Sequence, residues 1–254
     1  MGIAIQAVYG ASWTDRLRTL SRPPPLPAWR RLLMEFALKD IALVAFDQFT
    51  DIDLFLMWDI LGRNITDWRV RILGAQPVLH SAHGLPIPVH GPLSDANRAD
   101  AVLFSSGKQG IPAALASPDF LPSFDLDPAR QRIGSICAGA FILEQLGLLP
   151  DGRATTHPDA RDGLLARGLQ ALDQPLVCRG NVATAGGCLA AVYLTGWLVE
   201  SMFDADKRRE TLRPVLPAGQ REIYENLIEF SIKQGTGQTT GSIRMSEGRS
   251  GLPA

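Results

Sequence analysis

One cysteine, Cys137, stands in the segment SICAG, where an apolar run ends and small residues begin. Ser135 precedes it by two positions and Gly139 follows it by two, and small flanking residues are typical of a nucleophile elbow. The amides of a helix beginning at Ala138 would face the sulfur, lower its pKa and hold an oxyanion. Cysteine is also a common small core residue, so the pattern alone leaves a nucleophile and a buried packing residue equally open.

Two carboxylates, Asp51 and Asp53, follow the first apolar run of the chain. A carboxylate beside a thiol can share its proton and act as acid or base, provided that burial raises the carboxyl pKa. Both residues also begin a predicted helix, where acids are favoured by the helix dipole. Asp51 fits that second role better, which leaves Asp53 as the candidate acid.

Three further residues are candidates for the same chemistry. Gly107 follows another apolar run, and its backbone N–H, or that of Lys108, could approach a reacting centre as an oxyanion donor. His157, the last of the four histidines, is a possible base. An ordinary turn glycine and a surface histidine are the alternatives. The sequence contains neither a CxxC nor an HExxH motif, so we expect no metal site.

Short apolar runs alternate with segments of helical spacing along the central part of the chain. We predict strands over 41–46, 68–73, 101–106 and 132–136, helices over 50–61, 138–149, 188–203 and 219–233, two extended pieces within 77–93 and a hairpin over 175–187. Strands alternating with helices predict an α/β fold with a mostly parallel sheet covered on both faces. Ligands bind beyond the carboxyl ends of such strands, so Asp53, Gly107 and Cys137 should meet at one edge.

Composition limits the class of protein. The 254 residues are 46% hydrophobic and 20% charged with a net charge of −1, which is typical of one soluble domain and excludes a global field for nucleic acid or an anionic membrane. We expect a small-molecule substrate, no membrane segment and no nucleic-acid partner. Three cysteines without paired spacing indicate a reducing compartment, the cytoplasm. Cys178, in a strand, and Cys188, on an apolar helix, are expected in the core.

Both ends of the chain differ from its centre. Residues 1–38 are rich in arginine and proline, and we interpret them as a flexible or non-native extension, with a transit peptide as the alternative. Residues 235–254 are rich in Gly, Ser and Thr and predict a disordered tail. The domain is therefore expected to span 39–234.

Four segments together resemble the ThiJ/PfpI superfamily of glutamine-amidotransferase-like proteins. They are DIALVAFDQFTDIDL, VLFSSGKQG, GSICAGAFILEQLGLLPDGRATTHPDA and GNVATAGGCLAAVYLTGWLVE, in the family's order and at about its spacing. The resemblance covers about residues 39 to 233 and implies a flavodoxin-like three-layer sandwich. The pattern FxxFTxIDL followed by the CAG elbow is most similar to the isonitrile hydratase branch.

This resemblance implies roles for particular residues. Cys137 matches the reactive cysteine, Asp53 its partner acid, and Gly107 and Ala138 the backbone donors. The implied reaction hydrates an isonitrile to an N-substituted formamide through a thioimidate on the cysteine, without a cofactor. Members of the superfamily commonly form homodimers, which we expect here.

The chain also departs from the hydratase pattern. Ala138 stands where hydratases carry Thr, and the oxyanion loop reads SSGK instead of PGG, which introduces Lys108. The segments ICAG and TTHP resemble the glyoxalase or deglycase branch, which acts on methylglyoxal and uses Glu as the partner acid. A third interpretation is a ligand or redox sensor related to the sensing domain of AraC-like regulators. A DNA-binding role would then need another chain.

Overall fold

A mixed sheet forms the centre of the computed structural model, which describes residues 38 to 238. The strands are β1 (Lys39–Val44), β2 (Trp68–Gly74), β3 (Val78–His80), β4 (Pro86–Pro88), β5 (Gly91–Pro92), β6 (Ala101–Phe104), β7 (Arg132–Ile136), β8 (Arg153–Ala154), β9 (Gln170–Ala171), β10 (Leu176–Arg179) and β11 (Val182–Ala185). Seven of them form the main sheet in the order β10-β11-β7-β6-β1-β2-β5. Within this sheet only β10, at one edge, runs antiparallel to its neighbour.

The centre of the sheet is buried on both faces. Every residue from Ile41 to Val44 in β1 and from Ala101 to Phe104 in β6 is fully buried. Because successive side chains of a strand point to opposite faces, such runs require cover on both sides. This explains why the sequence shows continuous apolar runs instead of alternation, and it confirms the predicted parallel α/β architecture.

Seven α-helices within the described residues provide that cover. They are α1 (Asp51–Gly62), α2 (Gly110–Ala116), α3 (Ala140–Gln145), α4 (Arg161–Ala166), α5 (Ala191–Met202), α6 (Ala205–Leu212) and α7 (Arg221–Gly235). Helix α5 packs on β7 and β11 and contacts α1, α6 and α7, while α3 packs on β7 and against α2. None of the helices in this described part has the length and apolar character that a membrane crossing requires.

Predicted and observed elements agree best where turn residues are strong. The strand 132–136 is confirmed in full, and the hairpin turns at Gly180, whose φ is 56°. The helix predicted over 138–149 is shorter, because it begins as a 3-10 turn, Cys137–Gly139, and becomes α-helical only from Ala140 to Gln145. Gly147, with a φ of 70°, then adopts the left-handed conformation that ends helices.

Three helices were missing from the sequence prediction. Helices α2 and α4 are short, and helix α6 is too polar to show an apolar period. Tertiary contacts stabilise α6 instead: the Asp204 side chain accepts a hydrogen bond from the Lys207 N–H at 2.7 Å, and the buried Arg208 pairs with Glu200 at 2.7 Å. Periodicity alone does not reveal helices of this kind.

The two predicted terminal segments, 1–38 and 235–254, lie mostly outside the described residues. Of the extension only Leu38 is described, and of the tail only the residues up to 238 are described. Helix α7 continues to Gly235, so the described part reaches a few residues into the predicted tail.

The strand register brings three strand ends to one level. Val44 of β1 lies beside Phe104 of β6, and Phe104 lies beside Ser135 of β7. Since these strands are parallel, the loops that follow them leave the sheet at the same edge. The segments carrying Asp53, Gly107 and Cys137 therefore start side by side.

We expect the substitution Gly139→Ala to destabilise the fold. A Cβ at Gly139 would lie 2.8 Å from the Ser105 carbonyl oxygen and 3.1 Å from the Ser135 Cβ, so the turn after β7 must shift. The free energy of unfolding, measured by urea denaturation, should fall by about 1–3 kcal/mol, as overpacking typically costs. Gly62→Ala is the matched control, because a Cβ there meets nothing within 4 Å, and it should stabilise helix α1 by about 0.4–1 kcal/mol. Equal effects of the two substitutions would contradict this account.

Candidate active site

Cys137 sits at a strained turn between β7 and α3. Its φ of 51° lies in the left-handed region, which costs a residue with a side chain about 1–2 kcal/mol. The hydroxyl of Thr156 donates a 2.9 Å hydrogen bond to the Cys137 carbonyl oxygen and helps to hold the turn. Gly139 leaves no room for a side chain, which is why a small residue is needed two positions after the cysteine. The strand–turn–helix geometry predicted for this elbow is therefore present, with Cys137 at its tip.

Asp53 lies in the first turn of α1 and faces the cysteine. The Cys137 Sγ donates to the Asp53 Oδ1 across 3.4 Å, and only 1% of Asp53 is exposed. Thr50 precedes the helix as its N-cap residue without a side-chain capping bond, and its N–H donates to the Ser106 carbonyl at 2.7 Å. This backbone bond joins the start of α1 to the end of β6, so the carboxylate is placed by the sheet.

Burial governs the protonation of this pair. It raises the pKa of the Asp53 carboxyl, and it also raises the pKa of the Cys137 thiol, to which the negative charge of Asp53 adds. Because two adjacent negative charges oppose each other in a buried site, the pair resists losing both protons. This rise in the thiol pKa is opposite to the lowering expected from the helix amides. The Ala138 N–H donates to the Ser106 Oγ at 3.1 Å, so its hydrogen bond goes to a hydroxyl and not to the sulfur.

The two predicted backbone donors lie on the cavity wall next to the elbow. A Cβ at Gly107 would come within 2.4 Å of the Gln48 carbonyl oxygen, so glycine alone fits there. Ala138 is half-buried, and its N–H donates to the Ser106 hydroxyl at 3.1 Å. Ser106 and Asp53 both line the cavity, so this hydroxyl lies on the same wall as the acid. The position of Ser106 just after an apolar run is the signal that marks it in the sequence.

A cavity of about 640 Å³ opens over the elbow. It is lined by Thr50, Asp53, Ser106, Gly107, Lys108, Ile111, Pro112, Leu115, Ala116, Cys137, Ala138, Phe141, His157, Asp159, Ala160, Arg167 and Cys188. Lys108 is exposed at its rim and His157 is half-buried, with its Nδ1 accepting the Asp159 N–H at 3.2 Å. All six residues proposed for the site thus border one cavity.

Cys188 corrects the sequence prediction. It was expected in the core, but it is half-buried, lines the cavity and places its Sγ 3.7 Å from the Cys137 Sγ. Cys188 begins a 3-10 turn directly after β11, which is the sheet neighbour of β7. Ligands bind beyond the carboxyl ends of parallel strands, and Cys188 follows such an end just as the other candidates do. Cys178 is buried in β10, as expected.

Asp53, Cys137 and Cys188 also have the residue types of a metal site. Their ligand atoms lie within 4.8 Å of one another, a cluster assembled from three distant segments that no local motif announces. Thiolates and a carboxylate are ligands that zinc accepts. Binding would require both thiols to lose their protons, and burial raises both thiol pKa values.

The fold and the elbow define a class, the α/β sandwiches that present a cysteine above a parallel sheet. The sequence model of the DJ-1/PfpI family matches residues 39–201, more than half of the chain. The chain belongs to the DJ-1/PfpI family.

Characterised relatives carry more than one activity. The isonitrile hydratase of Pseudomonas putida is 26% identical over 168 residues, which are 65% of this chain and 73% of that protein. The glutathione-independent glyoxalase DJ-1 of Schizosaccharomyces pombe is 37% identical over 115 residues, 44% of this chain and 59% of that protein.

Solved structures show the same fold. Schizosaccharomyces pombe DJ-1 superposes with a TM-score of 0.62 at 22% identity, covering 70% of this chain and all (100%) of that one. A ThiJ/PfpI family protein from Pseudomonas syringae superposes with a TM-score of 0.64 at 21% identity, covering 87% of this chain and 98% of that one.

We expect Asp53→Asn to make Cys137 easier to ionise. The substitution removes the negative charge that raises the thiol pKa, so the pH midpoint for alkylation by iodoacetamide should move down. Mass spectrometry of the tryptic peptide 133–153 isolates this thiol, and the peptide 168–179, which carries Cys178, is the internal control. An unchanged or higher midpoint would show that Asp53 does not oppose the thiolate.

The same substitution should stabilise the folded protein at neutral pH. Burial raises the Asp53 pKa above its unfolded value, so its stabilising contribution is complete below the unfolded pKa and is lost as pH rises through the folded pKa. Asp53→Asn should therefore increase the free energy of unfolding at pH 7, because the amide carries no charge that burial opposes. The gain should vanish below about pH 4, near the unfolded aspartate pKa. Asp59→Asn, at a site with a 51% exposed side chain, is the control and should show no such gain.

Proposed function

We propose that this chain is a cysteine-dependent hydratase that converts an isonitrile into an N-substituted formamide. One observation carries the proposal: the Cys137 sulfur lies 3.4 Å from a buried carboxyl at the wall of a cavity of about 640 Å³. The similarity to the Pseudomonas putida isonitrile hydratase supports it. The reaction needs a nucleophile, a proton carrier and an apolar pocket, and each has a candidate here.

In the first step, the Cys137 sulfur attacks the terminal isonitrile carbon and forms a carbon–sulfur bond. The thiol proton passes to Asp53, whose raised pKa suits it as a carrier, and then to the same carbon. The product is a thioimidate with one hydrogen on the former isonitrile carbon. No redox change and no second reactant are involved.

In the second step, water attacks the thioimidate carbon while Asp53 accepts a proton. The carbon–sulfur bond breaks, and the water oxygen becomes the formamide oxygen. Of the two water hydrogens, one ends on nitrogen and the other restores the Cys137 thiol. The Ser106 hydroxyl, which accepts a hydrogen bond from the Ala138 amide and lines the cavity with Asp53, supplies a polar group near the place where hydratases carry Thr.

The cavity wall suits the apolar substituent of an isonitrile. Ile111, Pro112, Leu115 and Phe141 line it on the side formed by α2 and α3. Apolar contact would hold the substituent, while the small isonitrile group enters between the thiol and the carboxyl. The cavity volume is sufficient for a compact alkyl or aryl group.

A second candidate is a glyoxalase that converts methylglyoxal to lactate. Lys108 and His157 place polar groups at the cavity rim, where they could contact a dicarbonyl, and the Schizosaccharomyces pombe glyoxalase is 37% identical over the matched segment. Cys137 would add to the aldehyde to form a hemithioacetal, and Asp53 would move a proton from the aldehyde carbon to its neighbour, which gives a thioester. Water would then break the carbon–sulfur bond, release lactate and restore the thiol. The acid is one methylene shorter than the Glu expected in that branch.

Formamide production from cyclohexyl isonitrile, followed by liquid chromatography, tests the proposal. Cys137→Ala should reduce the rate to that of the uncatalysed reaction. Asp53→Asn should lower kcat about 10²–10⁴-fold, because it removes the proton carrier even though it favours the thiolate. Cys178→Ala changes a buried thiol away from the cavity and should retain activity.

The same preparation is assayed for lactate from methylglyoxal. Lactate without formamide would overturn the hydratase proposal in favour of the glyoxalase. If neither formamide nor lactate forms, the result would favour the sensor interpretation. The homodimer stays a prediction, which light scattering at several protein concentrations measures.

A further inference from the structure

Two thiols that are distant in sequence face each other in the cavity. Cys137 and Cys188 are 51 residues apart in the chain, and their sulfur atoms are 3.7 Å apart. A disulfide requires a sulfur–sulfur distance of about 2.05 Å, so the two atoms need to approach by roughly 1.7 Å. No other group lies between them in this contact.

The backbone around Cys188 is suited to such a movement. Cys188 starts a short 3-10 turn after Gly187, which has a φ of 90° and no atoms within 4 Å of an added Cβ. The neighbouring Leu189 is 72% exposed, so this turn is packed on one side only. Cys137, by contrast, is held by β7 and by the Thr156 hydrogen bond. The movement would therefore come mainly from Cys188.

We propose that Cys137 and Cys188 form a reversible disulfide when a hydroperoxide enters the cavity. Both thiols line the same cavity, so an oxidant that reaches one reaches the other. Asp53 accepts a hydrogen bond from Cys137, and its carboxylate lies within 4.8 Å of both sulfurs, so it can accept their protons in turn. This modification is independent of the substrate proposed above.

The chemistry balances in two steps. The Cys137 thiolate attacks one peroxide oxygen; a sulfur–oxygen bond forms, the oxygen–oxygen bond breaks, and the departing alkoxide takes a proton from Asp53. The Cys188 sulfur then attacks the Cys137 sulfenic acid; a sulfur–sulfur bond forms and the departing hydroxide takes the Cys188 proton as water. Two thiols are oxidised and the peroxide is reduced to an alcohol, or to water when the oxidant is hydrogen peroxide.

The disulfide has two consequences for the site. It removes the nucleophile, so any reaction that uses Cys137 stops until a dithiol reduces the bond. It also consumes the sulfenic acid before a second peroxide converts it to a sulfinic acid, which ordinary thiols do not reverse. Cys188 thus serves as the resolving thiol for Cys137.

Peptide mapping of the full chain tests the proposal. The protein is treated with a small molar excess of hydrogen peroxide, because a sulfinic acid consumes two peroxides per thiol. It is then unfolded in denaturant, blocked with N-ethylmaleimide and digested with trypsin. The three cysteines fall in separate peptides, 133–153 for Cys137, 168–179 for Cys178 and 180–207 for Cys188. We expect a cross-link between 133–153 and 180–207 that dithiothreitol reverses, with the Cys178 peptide labelled by maleimide.

Two variants test whether Cys188 resolves the oxidised Cys137 or merely lies near it. Cys188→Ser should abolish the cross-link and let the 133–153 peptide gain two oxygen atoms under the same treatment, whereas Cys178→Ser should leave the cross-link intact. Sulfinic acid on Cys137 of the unaltered protein without a cross-link would overturn the proposal, and so would a cross-link that includes Cys178. The unaltered protein alone decides the question if a variant fails to fold.

Discussion

The contact between the Cys137 thiol and the Asp53 carboxyl is the constraint around which this molecule is arranged. The two groups come from segments 84 residues apart, and both are almost fully buried at the wall of the cavity. Burial raises the pKa of each, so neither ionises as readily as it would on the surface. Two groups this close titrate as a pair, so a proton gained or lost by one changes how readily the other ionises.

The surrounding backbone keeps that pair together. The loop after β1 is braced by the β3–β4 hairpin, since the Gln48 N–H donates to the His80 carbonyl at 2.7 Å and the His80 N–H donates to the Asp47 carboxylate at 2.8 Å. Gly107 then packs directly against the Gln48 carbonyl. Gly139 of the elbow approaches the Ser105 carbonyl in the same way. The segments that follow β1, β6 and β7 are thus in contact through their backbones, which limits how far any one of them can move.

The two proposed reactions start from the same sulfur. In the proposed hydration, Cys137 would work with Asp53 and with the water that follows. In the proposed oxidation, its partner would be Cys188, whose sulfur is 3.7 Å away. Both reactions require a sulfur that borders the cavity with a proton acceptor beside it, and the electrophilic atom of the reactant, carbon or oxygen, would decide which partner acts next.

Sequence reasoning succeeded where a local pattern has a local cause. The strands of the sheet centre are buried on both faces and therefore read as apolar runs, and the elbow needs small residues at Ser135 and Gly139. Sequence reasoning failed where several effects act on one atom in opposite directions. Helix amides lower a thiol pKa in isolation, but at Cys137 burial and the Asp53 charge outweigh them. Only the folded environment sets that balance.

The sequence by itself determined the parallel α/β architecture, the elbow at Cys137 and the family, because these depend on hydrophobic runs, turn residues and motif order. Tertiary structure decided which side chains share the cavity. Ser106 and Cys188 reach Cys137 because β6, β7 and β11 are neighbours in the sheet, and that neighbourhood comes from strand order. Strand order arises from long-range packing of the helices on the sheet, which no short stretch of sequence encodes.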